Sequence, residues 1–559
     1  MSSDIASSRL NACECLLVFP PVWEAAAPYM AAPALAAYLR RAGHTVRVLD
    51  ANNLFWNHFR RQPRLVERIH SRCMAEREDR SLSLEEAVAA HRAADMSAAA
   101  FRAWFSALSI GSPTYELLVR TFGGFRRHAF LPADDALRYH DRYFGDVSQS
   151  HASTSSSDLR ACVIDDQSNP WRAFAREFVL PPLEVHHPGI LGITIAAPNQ
   201  VVPAFAIAAE AQSAWPEMPI VFGGPWVTHL RERIRNVDWF NDCGFLFVPF
   251  QGEAVLTEMV TAVGQKRDPA PIAHRAMHSA EPSSPVLLRD LPTPDFSDLP
   301  LEDYAEPGHL PLMASRGCYW SECRFCSYPL LEPRYEVRNS DTLRDSMSML
   351  INEYRAHHVP FTDPSMSVAL ARRIAAIVSD NELELTWGAF TRLEDGFTRE
   401  VLRALANGGC TVLHWGLESG SARILRDLNK GITHPVAARV LENAAAVGIH
   451  SRLLMMYAFP DETEEDMEAS LRFVEANLDV IGSVCWSRCT VEIETALGAS
   501  AGTTISAQAD LALGHVVPPL YSVDRLSRSE RRMAILSVRA ACGHGFDESC
   551  HRASAEVTD

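Results

Sequence analysis

Short apolar runs alternate with helical stretches twice along this chain of 559 residues, and that alternation leaves few folds open. The first series opens with the run Cys15-Leu16-Leu17-Val18-Phe19, ended by Pro20-Pro21. Residues 34–41 are helical in composition and stop at Gly43, and 45–49 alternate before Asp50. After a long interruption the series resumes with 190–196, a helical 203–215, then 220–222 ahead of Gly223-Gly224-Pro225, and 245–248 ahead of Gln251-Gly252-Glu253. Apolar runs of this length bounded by glycine and proline read as strands, and strands joined through helices pair in parallel. The expectation is an N-terminal doubly wound, Rossmann-like sheet. The second series has candidate strands at 310–315, 359–362, 383–389, 411–416, 451–457 and 480–487, with helical stretches between them. Six such units predict a partial (β/α)6 TIM-like barrel. Both architectures bind ligands at the carboxyl ends of their strands.

These readings divide the chain. Residues 1–265 are expected to form the Rossmann-like domain, interrupted at about 54–180 by a helical insertion rich in Ala, Arg and aromatics. The insertion leads into the low-complexity SQSHASTSSSD at 148–158, read as a mobile loop. Residues 266–307, rich in Pro, Ser, Asp and Glu, read as an interdomain linker. The barrel is assigned to 308–490 and a C-terminal extension to 491–559.

Chemistry concentrates just after the first strand of the second series. There Cys318, Cys323 and Cys326 stand in C-x4-C-x2-C spacing within Gly317-Cys318-Tyr319-Trp320-Ser321-Glu322-Cys323-Arg324-Phe325-Cys326. Soft thiolates favour iron–sulfur clusters or zinc. Three cysteines on a four-iron cubane leave one iron open to a reactant. Structural zinc wants four closed ligands, and the nearest imidazoles, His309 and the His357-His358 pair, lack ribbon spacing. Chance clustering among 13 cysteines is the third reading, and the spacing alone does not choose between them.

Charge and compartment narrow the class. A formal net charge of −17 speaks against general nucleic-acid binding, and the basic stretch from Arg525 to Arg539 reads as a solvated helix face. No apolar run is long enough to span a membrane, and the polar residues 1–11 lack a signal core, so a cytoplasmic protein is expected. Scattered cysteines in odd number fit a reducing compartment. Cys542-Gly543-His544 with Cys550-His551 have metal-ligand residue types on a chain end read as flexible.

With these motifs in order, the chain resembles a radical S-adenosylmethionine enzyme with an N-terminal cobalamin-binding domain, as in the cobalamin-dependent methyltransferases of that family. The resemblance covers about 13–50 and 185–490. GCYWSECRFCSY resembles the cluster loop, with one residue more than the usual C-x3-C-x2-C. Phe361-Thr362-Asp363 resembles the end of the second strand, Trp415-Gly416-Leu417-Glu418-Ser419-Gly420-Ser421 the end of the fourth, and Leu428-Asn429-Lys430-Gly431 the helix start after it. Ala458-Phe459-Pro460-Asp461-Glu462-Thr463 resembles G-F-P-G-E-T with Ala and Asp for two glycines, so a different turn geometry is expected. In the first domain LLVFPPVW, GITI, VFGGP and QGE resemble strand ends of the cobalamin fold. Its loop Phe19-Pro20-Pro21-Val22-Trp23-Glu24 has no histidine to ligate cobalt. That fits radical members and equally a domain that has lost cobalamin. Glu184-Val185-His186-His187-Pro188-Gly189 mimics the histidine motif but precedes the third strand, and reads as a turn.

The resemblance implies a 4Fe–4S cluster on Cys318, Cys323 and Cys326, S-adenosylmethionine on its open iron, and cobalamin. It implies cofactor contacts from Arg392, Glu418, Ser419, Tyr319 and Phe325, with Thr194, Gly223, Gly224, Gly252 and Glu253 at the cobalamin-type strand ends. Trp320 is expected to shield the cluster. No catalytic residue is assigned beyond the cluster ligands. The implied reaction generates a 5′-deoxyadenosyl radical and methylates an unactivated carbon of a small metabolite or peptide in natural-product biosynthesis. An electron donor such as flavodoxin or ferredoxin is implied as partner. Three alternatives stay open: non-methylating radical chemistry (cyclisation, ring contraction or oxidation), a methylthiolase-like nucleic-acid modifier, and a non-catalytic iron–sulfur or zinc scaffold. Against the methylthiolase-like modifier stands the lack of compact cluster spacing among Cys13, Cys15, Cys162 and Cys243.

Overall fold

A computed structural model describes residues 14–542 except 22, 24–25, 61–62, 77–92, 95, 99, 102–153, 166–168, 280, 282–284, 503–509 and 516–518. The chain divides into two compact units. The first comprises Met1–Arg68, Arg102–Pro307 and Ile505–Leu513, and the second Ile69–Phe101, Gly308–Thr504 and Gly514–Asp559.

The first unit is built on five parallel strands: β1 (Cys15–Phe19), β2 (Val46–Asp50), β3 (Ile190–Thr194), β4 (Ile220–Gly223) and β5 (Leu246–Val248). They lie in the order β2-β1-β3-β4-β5, the doubly wound arrangement whose direction of winding reverses between β1 and β3. Every residue of β1 and β3 is buried, as expected of strands covered on both faces. The helix Val201–Ala214 is buried along most of its length because it presents alanines around Phe205. Phe205 stacks on Phe222 at 4.4 Å, with Trp226, Phe240, Phe245 and Phe247 around it. A buried phenylalanine in such a cluster contributes about 1.5–3 kcal/mol.

Three expectations change here. The stretch read as a linker belongs to this unit: it carries the helix Ala270–Met277, and Leu288 and Phe296 are fully buried. Its acidic residues are counterions, with Asp295 and Asp298 paired to Arg40 and Asp298 also to Arg47. The end of the low-complexity serine run is a helix, Ser156–Ile164, because Ser155 caps it by accepting from the Asp158 amide. The C-terminal extension is split, since Asp510 accepts from the amide and hydroxyl of Ser156 in the first unit. Helices at Ala51–Arg60, Pro170–Phe174 and Leu180–His186 agree with the helical insertion, most of whose middle lies outside the described residues. His187 caps the last of these helices in the left-handed conformation, so the stretch read as a turn begins as helix, with His186 its last residue.

The second unit opens with a short antiparallel pair, β6 (Ser315–Arg316) and β7 (Glu336–Val337). Its main sheet is parallel: β8 (His358–Pro360), β9 (Thr386–Thr391), β10 (Cys410–Glu418), β11 (His450–Tyr457) and β12 (Ser483–Arg488), in sequence order across the sheet. Parallel bridges His309–His358 and Leu312–Phe361 add the sixth position expected at 310–315. Trp387, Leu413, Trp415 and Leu453 are buried; Trp387 bonds the Gly408 carbonyl through Nε1 and Trp415 packs on Phe397. Side chains therefore alternate between this packed outer face and an inner face. The helix Val523–Cys542 packs on β12 and on the helix Glu464–Ala476. Arg525 and Arg532 pair there with Glu464, Glu468 and Glu475, so the basic stretch is in part a docking seam. Among the described residues no helix is long and apolar enough to cross a membrane.

Candidate active site

The site starts from a loop that the chain ties down at both ends. Asp363, fully buried at the end of the second barrel strand, accepts from the Ala314 amide and from the amide and hydroxyl of Ser315. Its burial pushes its pKa up to about 6 against those hydrogen bonds. Gly317 follows at φ 80, where an added Cβ would stand 2.3 Å from the Arg334 carbonyl, so glycine is the residue that lets the chain turn there. Beyond the turn, Arg324 receives the loop's second anchor. Its amide donates to the Leu428 carbonyl at 3.0 Å, its carbonyl accepts from the Leu497 amide at 2.8 Å, and its guanidinium reaches the Asp427 carbonyl and Ser500. Asn429 donates to the Glu322 carbonyl and accepts from Trp320 Nε1 at its own carbonyl. Cys318 and Cys323 lie between these anchors and Cys326 just after the second, at the carboxyl end of the barrel's strands.

Two buried cations face the loop. Arg392, just beyond β9, lays its guanidinium over the Trp320 ring at 4.1 Å. Its Nη2 donates to the Lys430 carbonyl and its Nη1 points at Cys323 Sγ at 4.0 Å. Lys430 is 2.8 Å from Glu418 Oε1 and 5.5 Å from the centre of the Phe325 ring. Glu418 closes β10 at φ 74. Burial raises the pKa of Cys323, opposed by Lys430 and Arg392, and raises Cys326 to about 11. Desolvation lowers that of Arg392, opposed by the thiols.

This donor set fits an iron–sulfur cluster. The ligands are soft, two cations stand ready to offset thiolate charge, and the loop that carries them is anchored by backbone bonds. Among the described residues no three His, Cys, Asp or Glu side chains converge on one ion, and a cubane takes each thiolate on a separate iron. Arg392 Nε, 4.0 Å from Glu394 Oε1, and Tyr319 Oη are buried and make no hydrogen bond among the described residues, two donors left over for a polar ligand beside the loop. The remaining expectations divide. Arg392, Glu418 and Phe325 gather at the loop, and Tyr319 is on it with its ring edge-on to Tyr335. Ser419 is fully buried and its hydroxyl is engaged by Ser470 and the Ser421 amide, which makes it a brace for the turn. Ala458 holds φ 60, so the turn expected to differ keeps a left-handed residue where glycine is usual. Lys430 as the partner of Glu418 and Asp363 as the loop's anchor escaped sequence reading, because neither pairing leaves a local pattern. The two C-terminal Cys-His pairs fall largely outside the described residues.

In the first unit Thr194, Gly223, Gly224, Gly252 and Glu253 all fall at the carboxyl ends of β3, β4 and β5. Gly224 has φ 100, and a Cβ there would meet the Ile195 carbonyl at 2.6 Å. At the end of β1, Phe19 stacks on Tyr29 at 4.5 Å with Trp23 edge-on to both.

Residues 312–474 match the Radical SAM superfamily. The chain is 29% identical over 308 residues to an uncharacterized methyltransferase of Pyrococcus horikoshii, covering 52% of this chain and 65% of that one. It is 28% identical over 199 residues to the ribosomal protein uS12 methylthiotransferase RimO of Chlorobium phaeobacteroides, covering 33% of this chain and 45% of that protein. The match thus spans less than two thirds of either relative. Among solved structures, its fold is similar to that of the radical S-adenosylmethionine methyltransferase TsrM from Kitasatospora setae, which has cobalamin and a [4Fe-4S] cluster bound. There the TM-score is 0.52 at 17% identity, over 93% of this chain and 81% of TsrM. It is also similar to the cobalamin-dependent S-adenosylmethionine radical enzyme OxsB, with TM-score 0.57 at 12% identity over 95% and 67% of the two chains.

Proposed function

We propose that this chain is a cobalamin-dependent radical SAM enzyme that methylates an unactivated carbon of a small metabolite or peptide in natural-product biosynthesis. The observation that carries the reading is the anchored C-x4-C-x2-C loop facing Arg392 and the Glu418–Lys430 pair, in a chain whose other unit is a doubly wound sheet. Cys318, Cys323 and Cys326 would hold a 4Fe–4S cluster, which when bound supplies the electron for cleaving S-adenosylmethionine. Arg392 Nε is a donor for that ligand's carboxylate, while the other guanidinium nitrogens stay on Lys430 and toward Cys323. Glu418 accepts from an ammonium or ribose hydroxyl while its other oxygen keeps Lys430. Trp320 and Phe325 shield the loop from water. In the first unit the glycine ends of β4 and β5 admit a large planar cofactor close to the backbone, and Phe19, Trp23 and Tyr29 give it an apolar bed. TsrM and OxsB, whose folds are similar, are described as cobalamin enzymes, which supports the same assignment here.

The test is mass spectrometry of products after anaerobic reconstitution with iron, sulfide and cobalamin, then incubation with S-adenosylmethionine and reductant. 5′-Deoxyadenosine together with cobalamin-dependent S-adenosylhomocysteine is expected. 5′-Deoxyadenosine alone points to non-methylating chemistry. Neither product, from protein with a verified cluster in the presence of candidate substrates, overturns the catalytic reading.

A further inference from the structure

Below the rim of the half-barrel, three side chains share one level. His414 of β10 registers with Phe390 of β9 on one side and with Arg452 of β11 on the other. All three alternate with the outward-packed Trp387, Ala389, Leu413, Trp415, Leu453 and Met455, so they face inward. Phe390 and His414 stack at 4.5 Å with 26° between their planes, and Phe390 keeps 41% of its surface exposed. A large aromatic that exposed on an inner face is a shelf with nothing on it.

Arg452 is half-buried and has no ion pair or hydrogen bond among the described residues. The charged or titratable groups that act on its neighbours are His358, His450 and Arg452 itself, with no carboxylate among them. Burial, then Arg452, hold the His414 pKa down at about 4, so that imidazole is neutral near pH 7 and the guanidinium is the layer's one permanent charge. A guanidinium withdrawn from water without a counterion is costly, and a carboxylate in its fork offsets that cost. His414 lies two residues before Gly416 on the same face of β10, and the register shifts between Gly416 and Glu418, which closes the strand. At Gly416 an added Cβ would stand 2.7 Å from Glu418 Oε1.

We propose that the inner face of the half-barrel is the substrate subsite for an acidic molecule with a planar group. Its carboxylate pairs with Arg452 and its planar group lies on the Phe390–His414 shelf. The free end then points along β10 toward Glu418 and the cysteine loop. This assignment of substrate class rests on reading the barrel as the reaction chamber.

The test is equilibrium dialysis of the full chain, reconstituted with iron and sulfide, against radiolabelled indole-3-propionate and its matched neutral amide. The acid should bind at least about tenfold more tightly, which is about 1.4 kcal/mol. Arg452→Gln should erase that preference by weakening the acid to the level of the amide, and Arg452→Lys should retain part of it. Phe390→Ala should weaken both probes alike. Equal affinity of the wild-type chain for acid and amide, no saturable binding of the acid, or an unchanged preference in Arg452→Gln would each overturn the proposal. The wild-type ratio decides even if a variant fails to fold. Iron content measured on the same preparation separates the two readings. Acid preference in a chain that takes up no iron would sink the radical enzyme and spare the subsite, and iron without acid preference would do the reverse.

Discussion

The two units place their candidate site residues on the same topological feature, the carboxyl ends of parallel strands, and make different use of charge there. In the first unit these ends carry glycines, Thr194 and the aromatic trio Phe19, Trp23 and Tyr29. Two buried carboxylates stand at these ends, Glu253 and Asp50, and burial raises the Asp50 pKa to about 6 while the Tyr304 hydroxyl and the Asn53 amide donate to it. In the second unit the same level holds three thiols, Arg392 and an intact Lys430–Glu418 pair. A cofactor held mainly by shape and apolar area needs close backbone approach and little charge. A cluster held by thiolates needs fixed cations, because the ligands become anionic when they bind.

The largest expected effect breaks one unit without the other. Cys323→Ala should lower bound iron to background and abolish S-adenosylmethionine cleavage, while cobalamin uptake, read by visible absorbance, stays at the wild-type level. Gly224→Val should do the reverse: its Cβ would strike the Ile195 carbonyl, so cobalamin uptake is lost and iron is kept. Loss of both cofactors from either variant would mean that the contrast between the units is not functional.

The charge contrast is tested next. Glu418→Gln leaves Lys430 buried, 7% exposed, without its counterion, a change worth about 3–5 kcal/mol when a buried pair is broken. The urea midpoint should fall accordingly, and Lys430→Met added to Glu418→Gln should restore most of it. A single variant as stable as the wild type would show that the pair is well solvated.

How much of this contrast was legible in the sequence depends on the range of the interaction. The ten main strands were legible because β-branched and aromatic runs sit between glycine and proline punctuation, and the cysteine loop because its ligands are adjacent in sequence. Arg392 and Glu418 could be picked out as residues, but not their present partners, since Trp320 and Lys430 meet them only through the fold. Residues 288–303 have the composition of a linker because their aspartates balance Arg40 and Arg47, a pairing across some 250 positions that composition does not record. Ser419 matched a ligand-binding pattern, yet its hydroxyl is used inside the turn.

Acid titration sharpens the comparison from the first unit's side. The Asp50 pKa is pushed from 3.8 to about 6, chiefly by burial and against its hydrogen bonds from Tyr304 and Asn53. The folded chain therefore holds this proton more tightly than the unfolded one. The associated stability is fully present below about pH 4 and is lost as pH rises through about 6, on the order of 3 kcal/mol at about 1.4 per unit. Asp50→Asn should flatten that part of the profile, so the difference between wild-type and variant urea midpoints grows from pH 4 to pH 6 and then levels. Glu462 in the second unit is raised to about 7 with the same sign, and the difference curve cancels it. A constant difference across the window would show that Asp50 is ionised throughout.

The smallest effect concerns the two strand ends at the barrel's rim that use non-glycine residues in the left-handed region, Glu418 at φ 74 and Ala458 at φ 60. Glu418 has a side chain to justify its place, the bond to Lys430. Ala458 has only a buried methyl, while its amide donates to the Glu462 carboxylate at 2.7 Å, so the turn is held through the amide and Glu462 and not by the alanine side chain. A left-handed residue other than glycine costs about 1–2 kcal/mol, and glycine returns about 0.5–1 kcal/mol of that as unfolded-state entropy. Ala458→Gly should therefore stabilise the second unit by about 0.5 kcal/mol, read as a slightly higher urea midpoint, with the Cys323-dependent iron content unchanged. A loss of stability would mean that the buried methyl matters more than the strain, and that the alanine is there for packing.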